Sequence, residues 1–178
     1  MKFPSNQNHS DGHFQDLMLH RIHDILLVAS PYDAFILEED GRLTEQILHE
    51  YLGMNLSYAP RVWQANTASY AMDLLSRRSV DLVIVMMRIS DMDLITFGTQ
   101  VKELYKNKPI ILLAFDESEI KQLPEDRDQF MDNVFVWTGN SSVFPAIIKY
   151  IEDSKNVKRD TRKGDVRSII YIEDTPRY

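Results

Sequence analysis

The sequence predicts an open α/β fold, a five-stranded parallel sheet in the order 2-1-3-4-5 with helices on both faces. Three observations carry this. Residues 81–87 (DLVIVMM) and 110–115 (IILLAF) are apolar runs without alternation, which marks strands buried on both faces, as in a parallel sheet. Each strand-like run is followed by a stretch with helical spacing, so the connections are crossovers. Five such units fit in about 130 residues, a length that suits a doubly wound sheet of this order.

The first strand is residues 25–28 (ILLV), closed by Ala29-Ser30-Pro31-Tyr32-Asp33. Ser30 suits an N-cap, Pro31 the first helical position and Asp33 the third. The helix is expected to run to about Leu52, with Leu43, Ile47, Leu48 and Tyr51 inward and Gly53 just past its end. Residues 61–64 read as a second strand, less apolar and so placed at an edge. Thr67 can cap a helix in which Ala68, Ala71, Leu74 and Leu75 share a face.

Residues 81–87 are the third strand, followed by a loop over 88–93. Phe97, Val101, Leu104 and Tyr105 mark the next helix, and Lys108-Pro109 ends it. After the fourth strand at 110–115, a short helix around 117–123 stops at Pro124. Residues 134–137 (VFVW) form the fifth strand. Asn140 or Ser141 caps a last helix with Phe144, Ile147, Ile148 and Ile151 on one face.

The flanks differ. Residues 1–20 form a polar leader, 21–153 the folded domain and 154–167 a linker. That linker is locally basic (Lys155 to Arg167) but contains Asp160 and Asp165, so it reads as hydrated chain rather than a nucleic-acid contact. Residues 168–172 (SIIYI) are a new strand-like run, followed by Glu173 and Asp174. They read as the first strand of a second, truncated domain over 168–178, similar to residues 25–30. An orphan apolar strand of this kind is expected to pair with a sheet edge.

Composition narrows the function. A chain of 178 residues and 20.8 kDa is one domain plus extensions. With 44% hydrophobic and 26% charged residues it can bury a core without staples. The absence of cysteine excludes disulfides, thiolate metal sites and cysteine nucleophiles. No apolar run approaches the roughly 18 residues of a membrane span, and the polar start is no signal peptide, so a cytoplasmic protein is expected. The net charge, 20 − 27 = −7, argues against general nucleic-acid binding. Six glycines build no phosphate loop. His9 and His13, or His20 and His23, could share a helix face but lack further ligands.

The segment 81–94 (DLVIVMMRISDMDL) resembles the third strand and following loop of the receiver domain of two-component response regulators. The resemblance covers about residues 22–153. Leu94 stands where the family tends to have glycine. The resemblance implies a flavodoxin-like fold and a site of five side chains at the strand ends. Two acids hold a divalent metal, an Asp accepts the phosphoryl group, a Ser or Thr senses it and a Lys neutralises it. Carried across, the acidic pair falls on Ala29 and Ser30, the acceptor on Met86, the hydroxyl on Ala114 and the lysine on Trp137. A domain so substituted is not expected to be phosphorylated by the family's mechanism, nor to need a metal or cofactor. In the C-terminal fragment, Glu173 and Asp174 stand where the acidic pair belongs.

A wider resemblance concerns Ser30–Arg42 (SPYDAFILEEDGR) and the order degenerate receiver, basic linker, second receiver. Both are similar to the N-terminal part of bacterial multidomain proteins with a phosphoenolpyruvate synthase or pyruvate phosphate dikinase-like region downstream.

Several readings compete. Asp33, Asp91, Asp93, Asp116 and Glu117 could form a relocated acidic rim, or serve as helix caps and solvated loop residues. Met86, Met87 and Trp137 could line a ligand crevice or extend the core. The leading expectation is a non-enzymatic interaction module. Its partners are proteins, a second copy or the following receiver, through residues near 117–123 and 143–151. A receiver switched by a relocated Asp or a small ligand, and a small flavodoxin-like enzyme, are the alternatives. The last lacks a nucleophile–base pair at the strand ends.

Overall fold

The computed structural model describes residues 18–37, 43–53, 59–165 and 167. These fall into two units, residues 22–150 and a smaller one that joins residues up to 21 with those from 151 onward.

In the first unit, strand burial follows composition. β3 (Leu82–Met86) and β4 (Ile110–Ala114) are buried at every residue, as are the last four positions of β1 (Asp24–Val28). β2 (Arg61–Ala65) and β5 (Asn133–Val136) are half-covered. All pairings are parallel and the order is β2-β1-β3-β4-β5. The fully apolar strands therefore take the centre, and the strand containing Arg61 and Gln64 takes an edge.

The helices are α1 (Pro31–Leu37), α2 (Leu43–Gly53), α3 (Ala68–Arg77), α4 (Leu94–Leu104), α5 (Glu117–Ile120) and α6 (Val143–Lys163), with a 3₁₀ turn at Arg127–Gln129. One face of the sheet, including Leu26, Val28, Val83, Val85 and Leu112, packs with α3 and α4 through Ala71, Leu74, Phe97 and Val101. The alternate residues Ile25, Leu27, Ile84, Ile111 and Leu113 are also buried. Strand side chains alternate, so the opposite face is covered too.

Local signals set the helix starts. Ser30 Oγ accepts from Asp33 N at 3.1 Å, and Thr67 Oγ1 accepts from Tyr70 N at 3.1 Å. Of the helix expected over 31–52, α1 and α2 are described, and residues 38–42 between them lie outside the described residues. At the amino ends of the strands, Asp81 Oδ2 accepts from His23 N and Asp24 N. Asp24 in turn binds Arg61 and Trp63 Nε1, each at 2.9 Å, which ties the edge strand to β1.

The smaller unit departs from expectation. Residues 154–163, read from the sequence as the start of a linker, continue α6 as helix. Lys and Arg are good helix formers and no Gly or Pro falls between Ser154 and Lys163. Residues 18–20, read as the end of the leader, are tied to this helix. Asn156, 2% exposed, accepts from His20 N at 2.9 Å and donates to His20 O at 2.7 Å. Met18 N donates to Asp160 Oδ2 at 2.8 Å. Among the described residues no helix is long and apolar enough to cross a membrane. The strand-like run 168–172, with Glu173 and Asp174, lies outside the described residues.

Candidate functional site

A parallel sheet brings the carboxyl ends of all its strands to one rim, where α/β proteins place their chemistry. Here that rim is apolar or already hydrogen-bonded. Ala29, just past β1, is 2% exposed and its N–H donates to Ala65 O at 3.1 Å. Ser30 donates its N–H to Arg88 O at 3.1 Å, and its carbonyl accepts from Ala34 N at 2.8 Å. Met86 ends β3 and is 1% exposed, and Ala114 ends β4 with no exposure. Trp137 follows β5, donates its N–H to Ala114 O at 2.7 Å and packs tilted on Phe144 with centroids 5.9 Å apart.

The charge at the rim centres on Arg88, two residues beyond Met86. Its Nη2 lies 2.6 Å from Asp33 Oδ1 on α1, and its Nη1 is 3.6 Å from Glu119 Oε1 on α5. The guanidinium also sits 5.8 Å from the Phe115 ring. Glu119 Oε2 accepts from Phe115 N at 2.7 Å, which fixes the residue after β4. Asp33 is wholly buried, and its Oδ2 has no hydrogen-bond partner among the described residues. The hydrogen bond to Asp33 holds the Arg88 guanidinium above its already high ordinary pKa, against the opposing effect of partial burial. One protein cation therefore links α1, the end of β3 and the loop after β4.

The other rim acids act on helix starts. Asp91 accepts from Ala68 N at 2.6 Å and from Ser69 N and Ser69 Oγ at 3.1 and 2.6 Å. It thereby caps α3, 22 to 23 residues away in sequence. Asp93 caps α4, accepting from Thr96 N at 2.9 Å and Thr96 Oγ1 at 2.7 Å. Asp116 caps α5, accepting from Ser118 N at 2.7 Å and Glu119 N at 3.2 Å. These bonds, from the Ser69 hydroxyl, the Thr96 N–H and the Ser118 hydroxyl respectively, lower all three carboxyl pKa values. They favour the charged form. Among the described residues no three His, Cys, Asp or Glu side chains are grouped to hold a metal ion.

Met86, Met87 and Trp137 do not share a crevice. Met86 is in the core and Trp137 is against Phe144, whereas Met87 lines a separate groove with Ile89, Met92 and Leu123. Asp33 does not cap α1 with its carboxylate, which turns to Arg88 instead. Arg88 and Glu119 were not among the sequence candidates. The available signal was a cation immediately after the apolar run of β3, where a buried strand gives way to loop.

No protein-family model matches the chain, and no curated protein matches it. Solved structures do. The signal receiver domain of an HD domain-containing protein from Pseudomonas fluorescens Pf-5 is 23% identical, with 80% of this chain and 95% of that one covered and a TM-score of 0.55. A CheY-like response regulator receiver domain protein from Methanospirillum hungatei JF-1 is 15% identical, covering 77% and 98%, with a TM-score of 0.57. A response regulator from Thermotoga maritima in complex with Mg2+ and BeF is 18% identical, covering 73% and 99%, at 0.53. With its parallel sheet in the order 2-1-3-4-5, the chain has the fold of CheY-like response-regulator receiver domains.

Proposed function

We propose that this chain is a receiver-fold module that serves signalling through protein–protein contact and does not accept a phosphoryl group. The observation that carries this is the Arg88 bridge beside a buried Met86. In the receiver chemistry that the resemblance implies, a carboxylate at the end of β3 accepts the phosphoryl group, acids after β1 hold a divalent cation, and a hydroxyl after β4 senses the phosphoryl group. Met86 has no nucleophile, Ala29 and Ser30 bring no carboxylate, and Ala114 has no hydroxyl. The bridge supplies a fixed positive charge at the rim and ties the loop after β4 through Glu119.

The reading of a relocated acceptor is weaker on the same geometry. Asp33 is committed to Arg88, and Asp91, Asp93 and Asp116 each cap a helix. The reading of a small enzyme has no nucleophile–base pair at the strand ends to support it. The family resemblance directs docking to residues near 117–123 and 143–151. In the second stretch Tyr150 is 42% exposed and stands edge-on to Phe135 at 5.8 Å. Placement at the head of a larger phosphoenolpyruvate synthase or pyruvate phosphate dikinase-like protein rests on the sequence resemblance alone.

The test is a magnesium and beryllofluoride titration followed by tryptophan fluorescence and by amide NMR shifts of residues 86–93 and 114–119. No saturable change is expected. A saturable, magnesium-dependent change at these residues overturns the proposal.

A further inference from the structure

A half-open groove of about 380 Å³ lies beside the rim, between the loop after β3 and the segment after α5. Its walls are Met87, Ile89, Met92 and Ile95 on one side and Leu123 and Pro124 on the other. Ile95 is 46% exposed, and Met87, Ile89, Met92 and Leu123 are partly buried against the core. Methionines adapt their shape to an incoming side chain, and the volume is in the range of small recognition sites.

The surroundings are acidic. Asp93 lines the groove, Asp91 precedes Met92, and Glu125 and Asp126 follow Pro124. Glu125 and Asp126 are exposed, as is Arg127 beside them. The cation on the wall, Arg88, faces Asp33 and Glu119. Asp91 and Asp93 are held in the charged form by their hydrogen bonds. An anionic ligand is therefore repelled, whereas an apolar side chain flanked by positive charge is complementary in both shape and sign.

We infer that this groove is a docking site for a basic segment of a partner protein, one that inserts a bulky apolar side chain and lays lysines or arginines against the acidic rim. The inference rests on the reading of an interaction module and names its partner class.

The probe is a short fluorescein-labelled peptide of leucine and lysine in helical spacing, with a leucine–glutamate peptide of the same apolar pattern as control. Expected results are binding of the lysine peptide, amide shifts centred on Met87, Ile89, Met92, Ile95 and Leu123, and weakening as ionic strength rises from about 0.05 to about 0.5 M. Ile95→Glu and Leu123→Glu each reduce affinity about tenfold, the effect of losing one buried apolar contact. Glu125→Lys with Asp126→Lys weakens binding while leaving the groove's apolar walls intact. The inference is overturned by equal binding of the glutamate peptide, by shifts outside the groove, or by no binding. Concentration-dependent shifts at the groove without peptide identify a second copy as the occupant and also overturn it. Phosphoryl acceptance is read separately by mass, so the two readings fail independently.

Discussion

Arg88→Ala tests the bridge most sharply, because it removes the partner of a carboxylate that is fully buried in the native chain. Removing one partner of a fully buried pair costs about 3–5 kcal/mol. The Arg88 side chain is 54% exposed while Asp33 is fully buried, so water recovers part of the lost donor. A loss of about 2–3 kcal/mol is the reasoned value. With an m-value of about 2 kcal/mol per molar urea, the unfolding midpoint falls by about 1–1.5 M. Asp33→Asn removes the buried charge along with the pair, and about 1–2 kcal/mol is expected. In the double variant the stranded charge is gone, so its loss is smaller than the sum of the single losses. The assay is urea unfolding by far-ultraviolet circular dichroism and tryptophan fluorescence on all four proteins. An Arg88→Ala loss below about 0.5 kcal/mol, as for an exposed surface pair, refutes the reasoning. So do strictly additive losses.

Three further outcomes follow from particular contacts. Gly98→Ala on α4 is expected to destabilise by about 1–3 kcal/mol, because an added Cβ would stand 2.4 Å from Phe130 O; an unchanged or raised unfolding midpoint counts against that packing. Asn156→Ala removes both bonds to the His20 backbone and is expected to cost about 1–3 kcal/mol; hydrogen exchange is expected to quicken at residues 18–21 and 151–163. The folded-state pKa values of Asp91, Asp93 and Asp116 lie below the ordinary aspartate value of 3.8. Their contribution is complete above the unfolded-state carboxylate range and is lost as pH falls below 3.8 through the lowered values. In Asp91→Ala that portion of the acid-induced loss is expected to shrink in urea midpoints measured from pH 6 downward.

Most of the sheet was legible in the sequence because its signals are local. Uninterrupted apolar runs marked β3 and β4 as central, and Arg61 and Gln64 marked β2 as an edge. Ser30 and Thr67 announced helix starts because a cap acts within three residues. The continuation of α6 to Lys163 was hidden because a charged helix leaves little apolar period, and the buried Asn156 that holds it finds its partner 136 residues away. The site divides in the same way. That Met86 carries no nucleophile and Ala114 no hydroxyl is readable from residue type. The Arg88–Asp33 pair spans 55 residues and Asp91 reaches α3 across 22 or 23. No local pattern specifies such contacts; the fold creates them.

The claim that this rim has exchanged phosphoryl chemistry for a fixed bridge is tested most directly by intact-mass spectrometry after incubation with acetyl phosphate and magnesium. An unchanged mass is expected for the native chain under conditions that label a competent receiver domain in parallel. A phosphoryl adduct within residues 22–153 would contradict it.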